Sequence, residues 1–224
     1  MALDIYYTQD RHTGRLIFSI ILIALLAATG WYGYRWYTTG EIPFALPIAS
    51  ANTAVSESAI TPAQISGYSV STNNPRYIRI PTLNIDNTRV FPVGLDTSNQ
   101  VEATPNINDT AWYKKSATPG SGGVVLIAGH SVGVGHDGAF IQLRTLQIGA
   151  QIVIERGDGK VLTYKVVENQ SMTIAEVNTT GMKKMGQPVV DGAEGLNLIT
   201  TDGKWVPRLG TFDRRILVRA TIID

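Results

Sequence analysis

From residue 75 to residue 223 the chain reads as a series of short strand-like segments broken by Gly, Pro, Asp and Asn, and this cadence limits the fold more than any other feature. "RYIRIPTLNID" alternates apolar and polar residues around Pro81, as a half-buried edge strand does. "GGVVLIAGH" is a continuous apolar run with glycine at each end, the pattern of a strand buried on both faces. In "QIVIERGDGKVLTYKVV" the Asp158-Gly159 pair supplies the positive-φ residues that a tight hairpin turn demands. "SMTIAEV", "LNLIT" and "RILVRATII" bring the set to roughly seven or eight strands. Short helices fit only around residues 139–146 and 180–185. Many short strands with few helices predict a mainly β domain, a closed barrel or a sandwich.

Ahead of this domain the chain changes character twice. "LIFSIILIALLAATGWYGY", residues 16–34, carries no charge for 19 positions, about the minimum for a helix that spans a bilayer. Trp31, Tyr32, Tyr34, Trp36 and Tyr37 cluster at its far end, where amphipathic rings favour the membrane–water boundary. The run is longer than most signal-peptide cores, so a retained anchor over residues 16–37 is expected rather than a cleaved leader. Arg11 and Arg15 precede the span and Arg35 follows it, which places residues 1–15 in the cytoplasm and the bulk of the chain outside. Residues 38–74 are rich in Ser, Thr, Ala, Pro and Gly with no sustained period, and read as a flexible linker to a domain over residues 75–224.

Composition excludes several functions. Charged residues are 17% and the formal net charge is +1, so nothing points to nucleic acid. The absence of cysteine removes disulfides, thiolate metal sites and thiol catalysis together. "GSGGVV" lacks the Lys and following helix of a phosphate loop. Asp109, Glu168, Glu176 and Asp202 show no ligand spacing, so neither a metal nor a cofactor is expected. His136 reads as a loop residue, and Trp112 and Tyr113 as core aromatics.

Three groups fit the chemistry of acyl transfer. His130 ends a buried strand in "LIAGHS", where Gly129 lets the chain turn; Thr201 ends another in "LNLITTDG"; Arg215 begins the last in "FDRRILVRA". A nucleophile, a proton-transfer group and a fixed cation near a developing oxyanion are what acyl transfer needs. Taken singly each is ordinary: a His after a strand is usually a hydrogen-bonded surface residue, a strand-end Thr reflects β propensity, and an Arg opening a strand is usually an ion pair.

In order along residues 75–223, these segments resemble the sortases, bacterial cysteine transpeptidases. "LNLITTDG" looks like the family's active strand, which ends L-x-L-x-T-C, and "PGSGGVVLIAGHSVGVGHDGAF" resembles its His signature. "YIRIPTLNIDNTRVFPVGLD", "FIQLRTLQIGAQIVIERGDGKVLTYKVV" and "RRILVRA" resemble its opening strands, the segment after the His and the closing strand. The resemblance implies a closed β-barrel of about eight strands with short helices. It puts His130 on the catalytic His, Arg215 on the catalytic Arg, with Arg214 one register away, and Thr200 on the Thr that shapes the substrate groove and oxyanion site. Thr201 falls where the family has its nucleophilic cysteine, and that departure governs the function.

In the family, the thiolate attacks the Thr–Gly carbonyl of an LPxTG-type sorting signal, the imidazole protonates the leaving amine, and an amine acceptor resolves the thioester. A thiol ionises near neutral pH beside a cation, whereas a threonine hydroxyl needs a base to take its proton during attack. The expectation is a single-pass membrane protein with an extracytoplasmic sortase-like domain and impaired transpeptidation. The alternatives are a non-catalytic module that binds sorting signals or wall peptides, and a hydrolase using Thr201 and His130 as a serine-type pair.

Overall fold

The computed structural model describes residues 11–39, 55–95, 101, 102 and 104–224. The chain divides into two compact units, the first containing the N-terminal helix with Trp205–Arg208 and the second the rest of the barrel. In the first, helix α1 (Arg11–Thr39) contains a span, Gly14–Tyr34, of mean hydropathy 2.0. Leu16, Ile20, Ile23 and Leu26 are all exposed along it. A helix that is apolar all round, with such side chains exposed, is consistent with a membrane anchor or signal segment. Residues 1–10 and 40–54, parts of the expected cytoplasmic segment and linker, lie outside the described residues.

The second body is mainly β. Strands β1 (Pro75–Ile80), β2 (Ile85–Val93), β3 (Thr110–Tyr113), β4 (Val124–Gly129), β5 (Gln151–Arg156), β6 (Val161–Thr173), β7 (Gly195–Val206) and β8 (Thr211–Ile222) close into a barrel in the order β1-β2-β3-β4-β7-β8-β6-β5. Two neighbouring pairs, β2–β3 and β4–β7, are parallel. The hairpin expected at Asp158-Gly159 joins β5 to β6, with Gly159 at φ +84°.

The barrel interior is filled by Ile78, Ile80, Val125, Ile127, Ile152, Ile154, Tyr164, Leu196, Leu198, Ile216 and Val218, all buried. A second, smaller cluster lies on the opposite face of four strands. There Leu126, Ile199, Leu217 and Met172 pack with Val177 and Met185 from a helical stretch formed by α3 (Ile174–Glu176), a π-turn and α4 (Met182–Met185). This explains the unbroken apolar run of β4: alternate residues fill the barrel, and those between them floor the layer beneath the helix.

Three expectations need correction. β1 is no edge strand, because barrel closure pairs it with both β2 and β5, and Pro81 stands in a 3₁₀ turn at its end. "SMTIAEV" is only half strand. It turns helical after Thr173, whose hydroxyl accepts from the Glu176 backbone N–H while the Glu176 carboxylate accepts from the Thr173 N–H. The T-x-x-E spacing of that capping box is legible in the sequence. Third, residues 55–74 are not slack. A second capping box starts α2 (Pro62–Ser66) at Thr61 and Gln64, Tyr68 Oη donates to Val90 O at 2.6 Å, and Arg76 Nε donates to Tyr68 O at 2.7 Å. The packed body therefore begins ahead of Pro75.

Candidate active site

Strand alternation determines which side chains share a face. On β4, β7 and β8 the interior residues are Val125 and Ile127, Leu196 and Leu198, and Ile216 and Val218. By the same alternation His130, Thr201 and Arg215 belong to the outer face, with Leu126, Ile199 and Leu217. β4 and β7 run parallel with Ala128 beside Ile199, so two further steps bring His130 beside Thr201 at one lip of the barrel. Both side chains are half-buried.

Gly129 precedes His130 for a reason other than a turn. A Cβ built there would lie 2.5 Å from Cδ2 of Phe140, a core ring with no exposed surface. The ring can pass over the end of β4 only where no side chain intervenes. Phe140 N then donates to His130 O at 2.8 Å, tying both ends of the loop between them.

Thr201 Oγ1 is hydrogen-bonded to Ser131 Oγ at 2.5 Å, and Ser131 is buried. No local pattern marks Ser131 as part of the site; only adjacency to His130 could have suggested it. Among the described residues no hydrogen bond reaches the His130 ring. Burial holds the imidazole below its ordinary value near 6.5, so it is predominantly neutral at pH 7.

Thr200 is buried on the barrel-facing alternation, and its hydroxyl donates to Gly129 O at 2.8 Å. It ties β7 to the end of β4 and presents no hydroxyl to the outer face; β7 itself runs on through Asp202 and Gly203 to Val206, so Thr201 does not end the strand as the sequence suggested.

Arg215 stands opposite Met172 in the β6–β8 pairing, on the outer face. Its guanidinium donates to Phe212 O, Arg214 O and Thr211 Oγ1, each at 2.8 Å, rather than to Thr201 or His130. Burial lowers its pKa, yet a guanidinium stays protonated in proteins. Arg214, on the other alternation, is held by Ser171 through its Oγ and backbone carbonyl, each at 2.9 Å.

The other groups weighed from the sequence have structural partners. Asp109 pairs with Arg89, Glu168 with Arg219, and Glu176 caps its helix. Asp202 accepts from Ser171 Oγ at 3.0 Å. Trp112 is in the core, its Nε1 donating to Ala117 O at 3.1 Å, whereas Tyr113 is half-buried. The exposed His136 ring bonds to Glu57.

A closed eight-strand barrel with parallel β4 and β7 side by side and a helical stretch over its outer face is a sortase-type fold. The sortase-domain family model matches residues 78–223. Among solved structures the chain is similar to sortase A from Corynebacterium diphtheriae, a lid mutant, at 22% identity over 72% of this chain and 76% of that one, with a TM-score of 0.50. It is also similar to sortase C2 of Group B Streptococcus pilus island 1, at 16% identity over 75% and 82% of the two chains, again with a TM-score of 0.50. No curated protein gives a significant sequence match. The chain belongs to the sortase family.

Proposed function

We propose that this chain is a membrane-anchored sortase whose outer face takes an LPxTG-type sorting signal beside His130 and Thr201, with an amine as acceptor, and whose turnover is impaired because a hydroxyl stands at the nucleophile position. The observation that carries the reading is the parallel β4–β7 register, in which Ala128 stands beside Ile199; continued past the end of β4, it sets His130 beside Thr201 within β7. Sortases act on sorting-signal peptides and amine acceptors. In the assigned roles, His130 serves as the proton-transfer group, Thr201 occupies the attacking position and Arg215 supplies the cation for the developing oxyanion. Thr200 acts by tying β7 to the end of β4. Arg215 must then leave Thr211 and Phe212 when peptide enters. Anchoring by α1 with the barrel extracytoplasmic completes the reading.

The chemistry explains the impairment. Thr201 Oγ1, unlike a thiol, does not ionise near neutral pH and must lose its proton to a base as it attacks. Its hydrogen-bond partner is Ser131, not His130. The reaction is therefore expected to be slower by several orders of magnitude, as when a catalytic nucleophile is removed. The same contact favours a module that binds sorting signals without turnover over a Thr/His hydrolase.

The test uses the full-length chain in detergent micelles with LPxTG peptide and an amine acceptor. Thr201→Cys is expected to cleave and transfer, with the unaltered chain binding peptide and turning over at least about a thousandfold more slowly. An inert Thr201→Cys variant that also fails to bind peptide refutes the proposal. Hydrolysis by the unaltered chain that disappears in Thr201→Ala establishes the hydrolase instead.

A further inference from the structure

Between His130 and Phe140 the chain makes a glycine-rich excursion whose side chains mostly face water; Val134 is 69% exposed. A loop of this kind gains little from apolar packing and needs fixed polar partners to hold one conformation. At its base Gly138 N donates to Ser131 O and Phe140 N to His130 O, each at 2.8 Å. At its tip the partner comes from a distant part of the chain. The Glu57 carboxylate accepts the backbone N–H of Val134, the backbone N–H of Gly135 at 2.9 Å, and the ring N–H of His136 at 3.1 Å.

Two consecutive backbone N–H groups converging on one carboxylate form a small anion nest, and such charge-assisted bonds are stronger than neutral ones. The fit is close: a Cβ at Gly133 would lie 2.2 Å from Glu57 Oε1. The segment carrying Glu57 is itself stitched down on both sides. Ser56 N donates to Pro105 O at 2.8 Å and Ile107 N to Ser56 O at 2.9 Å, while Asn106 Nδ2 donates to Ser58 O at 2.8 Å. Ala139 N closes the stack by donating to Ile107 O at 2.9 Å. Residues 56–58 thus form a strap bonded to the 105–108 segment, and that segment is bonded to the far end of the His130 loop.

We propose that Glu57 is a positioning residue for the candidate active site, holding the 131–138 loop so that His130 and Ser131 keep their places beside Thr201. This deepens the functional reading above and rests on it for the word active, although the clamp itself is a matter of geometry. Glu57 does not touch the reacting atoms; it acts through the loop. The consequence is that a fragment starting at Pro75, where the barrel strands begin, lacks a group that the site needs.

The experiment compares full-length wild type, Glu57→Gln and Glu57→Ala in detergent micelles, with three readouts. Amide exchange at Val134 and Gly135 is expected to quicken by about tenfold or more in Glu57→Ala, with Ile127 and Leu198 unchanged. The His130 imidazole, followed by NMR, is expected to titrate nearer its ordinary value as the loop opens to water. In the Thr201→Cys background, kcat on the LPxTG peptide should fall while KM holds. Glu57→Gln keeps one acceptor oxygen and should restore part of each change, and it carries the test if Glu57→Ala does not fold. Unchanged loop exchange and an unchanged His130 titration overturn the proposal. So does faster exchange spread evenly over the barrel, which marks a role in global stability alone. If Thr201→Cys is inert and does not bind peptide, the functional reading fails while exchange and titration still decide whether the clamp exists.

Discussion

Gly129→Ala offers a sharp test of how the end of β4 is built. The added Cβ would stand 2.5, 2.8 and 2.9 Å from three ring carbons of Phe140, where carbon atoms settle at about 3.5–4.0 Å. Phe140 has no exposed surface and its ring has no flexible end to yield, so the ring or the strand must shift by about 1 Å. Overpacking of this kind costs about 1–3 kcal/mol. At about 2–4 °C per kcal/mol for a domain of this size, Tm should fall by about 2–12 °C. Phe140→Ala alone should cost about 3–5 kcal/mol through the cavity it leaves. The double variant decides the matter, because the new methyl then enters the vacated space. Its cost should fall below the sum of the two single costs by at least about 1 kcal/mol. Urea unfolding of the four proteins measures this cycle. Additive costs, or a Gly129→Ala variant as stable as wild type, would refute the close-approach account and return Gly129 to the role of a simple turn residue.

The Arg89–Asp109 pair, bonded through two contacts of 2.8 Å with side chains 13% and 1% exposed, should behave asymmetrically. Asp109→Ala leaves a buried guanidinium uncompensated and should cost about 3–5 kcal/mol in denaturant unfolding, while Arg89→Met with Asp109→Leu should cost less than half of that. His130 should contribute to the pH dependence of stability. Its pKa is lower in the folded state than in the unfolded chain, so the unfolded chain binds more protons as pH falls through about 6.5, and stability drops there. A Tm profile from pH 8 to pH 5 should therefore decline less steeply in His130→Asn; a profile parallel to wild type would contradict the buried, neutral imidazole.

Much of the β content was readable because it rests on local physics. The β5–β6 turn was legible in Asp158-Gly159, since few other residues reach its backbone angles, and the apolar character of both faces of β4 in an unbroken apolar run, although only the barrel-facing side is fully buried. The helical turn after Thr173 was hidden because "SMTIAEV" also satisfies a β pattern, and only its T-x-x-E spacing favours a helix. The strap around Glu57 left no local signature at all. Its Ser, Ala and Pro composition matches that of a slack linker, and its order comes from bonds to residues about 50 to 80 positions away. The site divided in the same way. His130, Thr201 and Arg215 could be nominated by resemblance to a family, but the Ser131–Thr201 contact and the turning of Arg215 toward Thr211 could not.

What the sequence by itself determined was the kind of chain: an uncharged helix-length run, a body of short strands, and a threonine where the family places a thiol. These follow from hydropathy, period and residue chemistry, which each short segment carries within itself. Only the tertiary structure decided which face of each strand looks outward, that β4 and β7 lie side by side, and that the residues before the barrel grip the His130 loop. Those relations depend on closure of the barrel, which brings strand ends some 70 residues apart into register through hydrogen bonds that no single segment encodes.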